Sequence, residues 1–146
     1  MGALAPRANA TSVAMAWRSL RLIIADDEPD TVLTLSALLD HEGHSVVGVH
    51  SAPAALREAR KEMPDALIVD ISMPGPSGYQ VAREIRELRG ERRGPLLIAI
   101  SGRWTGQTDR MLSELAGFDH FIAKPCSLAG LLRLLQPLTT QPRLTE

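Results

Sequence analysis

Four apolar runs in this chain each give way to a residue able to do chemistry. "LRLIIA" stops at Asp26 and Asp27, "ALIVD" ends on Asp70, "LLIAIS" on Ser101, and "DHFIAK" on Lys124. Runs this apolar belong to strands covered on both faces, as in a parallel sheet. A charge at the C-terminal end of such a strand lies at the rim of the core, where open α/β sheets place their ligands. Parallel neighbours would bring all these ends to one edge, and three carboxylates would converge there. A like-charge pair at contact distance costs on the order of 4 kcal/mol at an effective dielectric of about 20. Two compensating charges are available, the ammonium of Lys124 and a hard divalent cation. Mg²⁺ takes a few carboxylate oxygens, keeps several waters and commonly shares a phosphate oxygen. The set therefore suits a magnesium-assisted phosphoryl group, with Lys124 and the Ser101 hydroxyl on the remaining phosphate oxygens.

The elements that must position these residues alternate along the chain. After the strand that stops at Asp26, Val32, Leu35, Leu38 and Leu39 recur at helical spacing from Asp30 to Glu42, and Gly43 supplies a stop. "HSVVGVH" is a second strand, and Ser51 caps a helix running through Lys61. The third strand, 66–70, leads through a Pro/Gly loop to a helix over 77–89, with Val81, Ile85 and Leu88 on one face. A polar connector, "ELRGERRGP", precedes the strand ending at Ser101. A short helix over 107–115, the strand ending at Lys124 and a last helix over 127–136, capped by Ser127, complete the series. Strands alternating with helices predict a doubly wound α/β sandwich with right-handed crossovers.

The set "ADDEPD", "IVDISMPGPSGY", "AISG" and "IAKP" resembles the receiver domain of two-component response regulators, over roughly residues 20–136. The resemblance implies a flavodoxin-like sheet in the order 2-1-3-4-5. It implies Asp70 as phosphoacceptor, with Asp26, Asp27, Asp70 and the main-chain carbonyl of Ser72 holding Mg²⁺ or Mn²⁺. Ser101 matches the switch Ser/Thr, Lys124 the family's lysine, and Phe121 the switch aromatic. A cis peptide between Lys124 and Pro125 is implied as well. Arg103 and Ser72 fall where receivers tune the lifetime of the phosphate, and Trp104 is a bulky residue available to a partner in a loop that is often small in the family.

What the resemblance implies for function is a phosphoryl group taken from a histidine kinase or phosphotransfer protein. Phosphorylation would shift the domain between two shapes that a protein partner reads, or the phosphate would be relayed onward, and dimerisation on phosphorylation is compatible with this. Self-catalysed transfer and autodephosphorylation are then the only reactions expected. Residues 1–19 are expected to form a flexible extension and 137–146 a short tail, so the output is expected to pass through protein contacts. The competing reading is a receiver-like docking module that works without phosphorylation; a module of that kind has no need of Asp26, Asp27, Asp70, Ser101 and Lys124 together.

Other classes fit less well. A nucleotide-binding protein needs a glycine-rich loop after the first strand, where this chain has "DDEPD". A hydrolase of the haloacid dehalogenase type needs an acid two residues after its nucleophile, where this chain has Ser72. The formal net charge of −1 gives no general electrostatic reason to bind nucleic acid. The N-terminal "MGALAPRANATSVAMAW" lacks the clean apolar run of a secretory signal, no segment is long and apolar enough to insert into a membrane, and a lone Cys126 forms no intrachain disulfide. A cytoplasmic protein is expected. His41, His44, His50 and His120 have no ligand spacing and are expected at surfaces and boundaries.

Overall fold

The computed structural model describes residues 17–74, 78–89, 94–102 and 107–140. Its elements, in chain order, are β1 (Arg21–Ala25), α1 (Pro29–His41), β2 (Ser45–Val49), α2 (Ala52–Lys61), β3 (Ala66–Asp70), α3 (Gly78–Arg89), β4 (Leu96–Ser101), α4 (Gln107–Ala116), β5 (His120–Ala123) and α5 (Leu128–Thr139). The strands form one sheet in the order β2-β1-β3-β4-β5, parallel at every pairing. This is the doubly wound architecture expected from the sequence. No helix among the described residues is long and apolar enough to cross a membrane.

The period of two along each strand divides the core into two layers. Ile23, Ala25, Leu67, Val69, Leu97 and Ala99 face α2 and α3. Leu22, Ile24, Ala66, Ile68, Ile98 and Ile100 face α1 and α5, where Leu35, Leu39, Leu131 and Leu135 meet them. Every residue of β3 is buried, so its backbone is held from both sides and both faces. That rigidity fixes the direction of the carboxylate at its end.

Close approach sets one position in the edge strand β2. A Cβ on Gly48 would lie 2.4 Å from Val32 Cγ1 and 3.2 Å from Ser36 Oγ, so α1 rests almost directly on the β2 backbone. Gly48→Ala is expected to lower stability by about 1–3 kcal/mol, the usual cost of overpacking. Chemical denaturation checks this: the midpoint should fall while the m-value holds.

Ordered packing begins before Leu20. Arg18 N–H donates to the Thr139 carbonyl at 2.8 Å, its guanidinium pairs with Asp65 at 2.6 Å, and Ser19 Oγ donates to the Gly43 carbonyl at 2.7 Å. The Trp17 ring lies 5.2 Å from that of His44, centroid to centroid. These residues tie the last helix to the turn after the first. The last helix also runs past Gln136: Pro137 lies within α5, and the Thr139 and Thr140 hydroxyls donate to the Gln136 carbonyl at 2.9 and 3.0 Å. A proline so near the helix end disturbs little of the helical ladder, while Leu135 and Thr139 stay buried.

His44 is buried rather than at the surface, with 4% exposure. Its Nδ1 accepts the Leu20 N–H at 3.1 Å, so that nitrogen must be unprotonated. Burial pushes the His44 pKa down, against the opposing charges of Glu42 and Asp65. The contribution to stability is therefore present above the unfolded value near 6.5 and lost as pH falls through the lower folded value. His44→Asn keeps an acceptor but no titrating ring. Its denaturation midpoint should vary less than that of the wild type between about pH 7 and pH 5, near the ordinary histidine pKa.

Candidate phosphoryl-transfer site

Strand register assembles the site. Asp70 closes β3 beside Ile100, and Ser101 extends one residue further on β4, opposite Ala123. Lys124 follows β5, its N–H donating to the Ser101 carbonyl at 2.8 Å, and its bond to Pro125 is cis, as the resemblance implied. Asp26 follows β1, anchored by its N–H to the Val49 carbonyl at 3.1 Å. Residues distant in sequence thus share one edge of the sheet.

The carboxylates of Asp26, Asp27 and Asp70 offer oxygens within 4.8 Å of one another. Asp26 is fully buried, Asp70 is 2% exposed and Asp27 faces solvent. Asp26 Oδ1 accepts the Glu28 N–H at 2.9 Å. Its Oδ2 is buried with no hydrogen bond in good geometry and meets Lys124 Nζ as an ion pair at 2.7 Å. Asp70 Oδ2 accepts from the same ammonium at 3.3 Å. Two of the converging acids therefore share one lysine, and a buried carboxylate oxygen retains coordinating capacity. Hard oxygen donors of net negative charge, open to solvent through Asp27, fit Mg²⁺ or Mn²⁺.

The electrostatics record the crowding. Burial raises the Asp26 pKa and the charge of Asp70 adds to it, more than Lys124 and the Glu28 amide take away. Burial alone would lower Lys124, but the contact with Asp26 and the charges of both aspartates outweigh it and its pKa is raised. The lysine stays charged in place. Cys126, beside this group, has its thiol pushed up by burial against the opposing charge of Lys124, so it has none of the activation a helix N-terminus can give.

Ser101 is buried at 3% exposure, and Phe121 is half-buried against the α2–α3 layer. Arg103 and Trp104 lie outside the described residues. Two contacts escaped the sequence reading. The Ser72 side chain, and not only its main chain, meets the phosphoacceptor candidate: Asp70 Oδ1 accepts from Ser72 Oγ at 2.6 Å and from Ser72 N–H at 2.9 Å. Glu28 reaches Lys124 Nζ at 3.5 Å; the only sequence signal for it was a third acid directly after the Asp26–Asp27 pair.

Comparison with known proteins agrees with the fold that carries these residues. The chain is 35% identical over 128 residues to the sensory/regulatory protein RpfC of Xanthomonas campestris pv. campestris, an alignment covering 86% of this chain but only 17% of RpfC. It is 29% identical over 115 residues to protein PilH of Pseudomonas aeruginosa, covering 79% of this chain and 93% of PilH. Among solved structures, a CheY-like receiver domain protein from Methanospirillum hungatei JF-1 superposes with a TM-score of 0.75 at 24% identity, covering 84% and 94% of the two chains. The chemotaxis regulator CheY4 of Vibrio cholerae gives 0.73 at 21% identity, covering 83% and 99%; at these identities the likeness is one of fold. A sequence model of the response regulator receiver domain matches residues 22–136. The chain belongs to the response regulator receiver domain family.

Proposed function

We propose that this chain accepts a phosphoryl group on Asp70 in a Mg²⁺-dependent reaction and passes the signal on by changing shape. The observation that carries the reading is the convergence of Asp26, Asp27 and Asp70 within 4.8 Å, with Lys124 bridging Asp26 and Asp70. An Asp70 oxygen attacks the phosphorus of the donor. The bond from phosphorus to the donor's leaving group breaks, that group departs with the electron pair, and an acyl phosphate remains. Asp26, Asp27, Asp70 and the Ser72 carbonyl would hold the ion, which supplies charge neutralisation for the phosphoryl oxygens. Lys124 and the Ser101 hydroxyl take the other phosphoryl oxygens, and water later cleaves the acyl phosphate.

The donor is a histidine kinase or a phosphotransfer protein, and the domain catalyses only its own phosphorylation and dephosphorylation. Output passes to a protein partner with different affinity for the two shapes, or onward as phosphate, with Ser101 and Phe121 as the moving parts. The full-chain test is incubation with Mg²⁺ and acetyl phosphate, read by intact-mass spectrometry. One phosphoryl adduct that disappears with EDTA is the expected result. No adduct, together with no response to beryllofluoride, would favour a docking module that works without phosphorylation.

A further inference from the structure

Lys124 occupies ground that a divalent cation must also claim. Its ammonium lies 2.7 Å from Asp26 Oδ2 and 3.3 Å from Asp70 Oδ2, two of the carboxylates that the proposed function assigns to the metal. An ammonium and a dication on the same oxygens repel each other. Entry of the ion therefore requires Lys124 to give up Asp26, and a lysine with only 18% side-chain exposure needs another carboxylate within reach.

The geometry points to Glu28 as that second station. Its Oε1 is 3.5 Å from Lys124 Nζ, and the side chain itself is 68% exposed, at the mouth of the site and away from its floor. It is held in place: Thr31 Oγ1 donates to Glu28 Oε1 at 3.0 Å, across the first turn of α1. Its own main-chain N–H meanwhile steadies Asp26 Oδ1 at 2.9 Å. One residue thus fixes a metal-holding carboxylate through its backbone and offers the lysine a resting place through its side chain. Glu28 is a positioning residue acting through Lys124. It lets the same ammonium neutralise the acidic cluster before an ion binds and then withdraw toward the mouth when the ion arrives.

The inference rests on the Mg²⁺-dependent reading above, and metal binding tests it without any phosphoryl transfer. Isothermal titration with Mg²⁺ alone would compare the wild type, Glu28→Gln, Lys124→Gln and the double variant, each checked for folding by circular dichroism. The glutamine side chain retains an acceptor for Thr31, the main-chain bond to Asp26 is untouched, and only the charge is removed. Glu28→Gln should weaken Mg²⁺ binding about threefold, the scale of an exposed ion pair. Lys124→Gln should tighten it, and with Lys124 absent Glu28→Gln should have no further effect.

An equal loss on Glu28→Gln in both backgrounds would mean that Glu28 attracts the ion directly, and would overturn the inference. So would unchanged affinity in the single variant while the wild type binds Mg²⁺, which leaves the receiver reading intact. Absence of Mg²⁺ binding by the wild type would overturn both.

Discussion

Asp70→Asn loses the phosphoryl adduct completely: with Mg²⁺ and acetyl phosphate, its mass spectrum should match that of a sample treated with EDTA. The amide is nearly the same size as the carboxylate and keeps an oxygen to accept the Ser72 N–H and hydroxyl, so β3 and its neighbours stay in place. What disappears is the anionic oxygen that attacks phosphorus, and no neighbour can replace it. Asp26 is closer to Lys124, at 2.7 Å against 3.3 Å for Asp70, but it is fully buried, and its Oδ1 is committed to the Glu28 amide. Asp27 is exposed and off the sheet's rigid centre. An adduct that persists in the variant would mean that one of these acids, or a side chain elsewhere, is the acceptor.

Asp26→Asn should make the protein more stable and less responsive to metal. Folding buries this carboxylate next to Asp70 and raises its pKa. The sign follows from linkage. The favourable contribution is present below the unfolded value near 3.9 and lost as pH rises through the raised folded value, so at pH 7 the ionised group opposes folding. Removing the charge relieves the cost of its burial and, to a smaller degree, the repulsion from Asp70, which together outweigh the lost attraction to Lys124, so the variant should gain on the order of 1 kcal/mol in metal-free buffer. The gain should shrink toward acid pH, as the wild-type carboxyl takes up its proton.

Mg²⁺ reverses the order of the two proteins. A ligand at one hundred times its Kd adds about 2.7 kcal/mol to the folded state that binds it, and the Asp26→Asn variant forfeits most of this. Denaturation of both proteins with and without Mg²⁺ reads both effects. A variant less stable than the wild type without metal, or equally stabilised by Mg²⁺, would contradict this view of the acidic cluster.

The site was legible because its residues stand where periodicity changes. A run such as Leu67–Val69 that breaks on Asp70 announces a strand end, and in a parallel sheet all strand ends lie on one edge. The order of the strands was not contained in that pattern; it came with the resemblance and is now seen in the pairing of β1 with both β2 and β3. Contacts made by ordinary polar residues were hidden. Arg18 and Ser19 look like part of a loose leader, yet their partners, Thr139, Asp65 and Gly43, lie far along the chain. His44 sits between a helix stop and a strand, which suggests a surface, until Trp17 and the Leu20 amide close over it. The last helix was expected to end at Gln136 because local pattern takes no account of the packing that holds Leu135 and Thr139. Glu28 was passed over because its reach to Lys124 depends on where the fifth strand ends relative to the first, which periodicity does not encode.

The central claim is that the rigid end of β3 presents one carboxylate to a phosphodonor. Borohydride reduction after reaction with acetyl phosphate tests it most directly, because hydride converts an aspartyl phosphate to homoserine and leaves a mark that survives digestion. Peptide mass spectrometry should find homoserine at position 70 alone, dependent on Mg²⁺. Reduction at position 26 or 27, or at no aspartate in a sample that carries the adduct, would contradict the account.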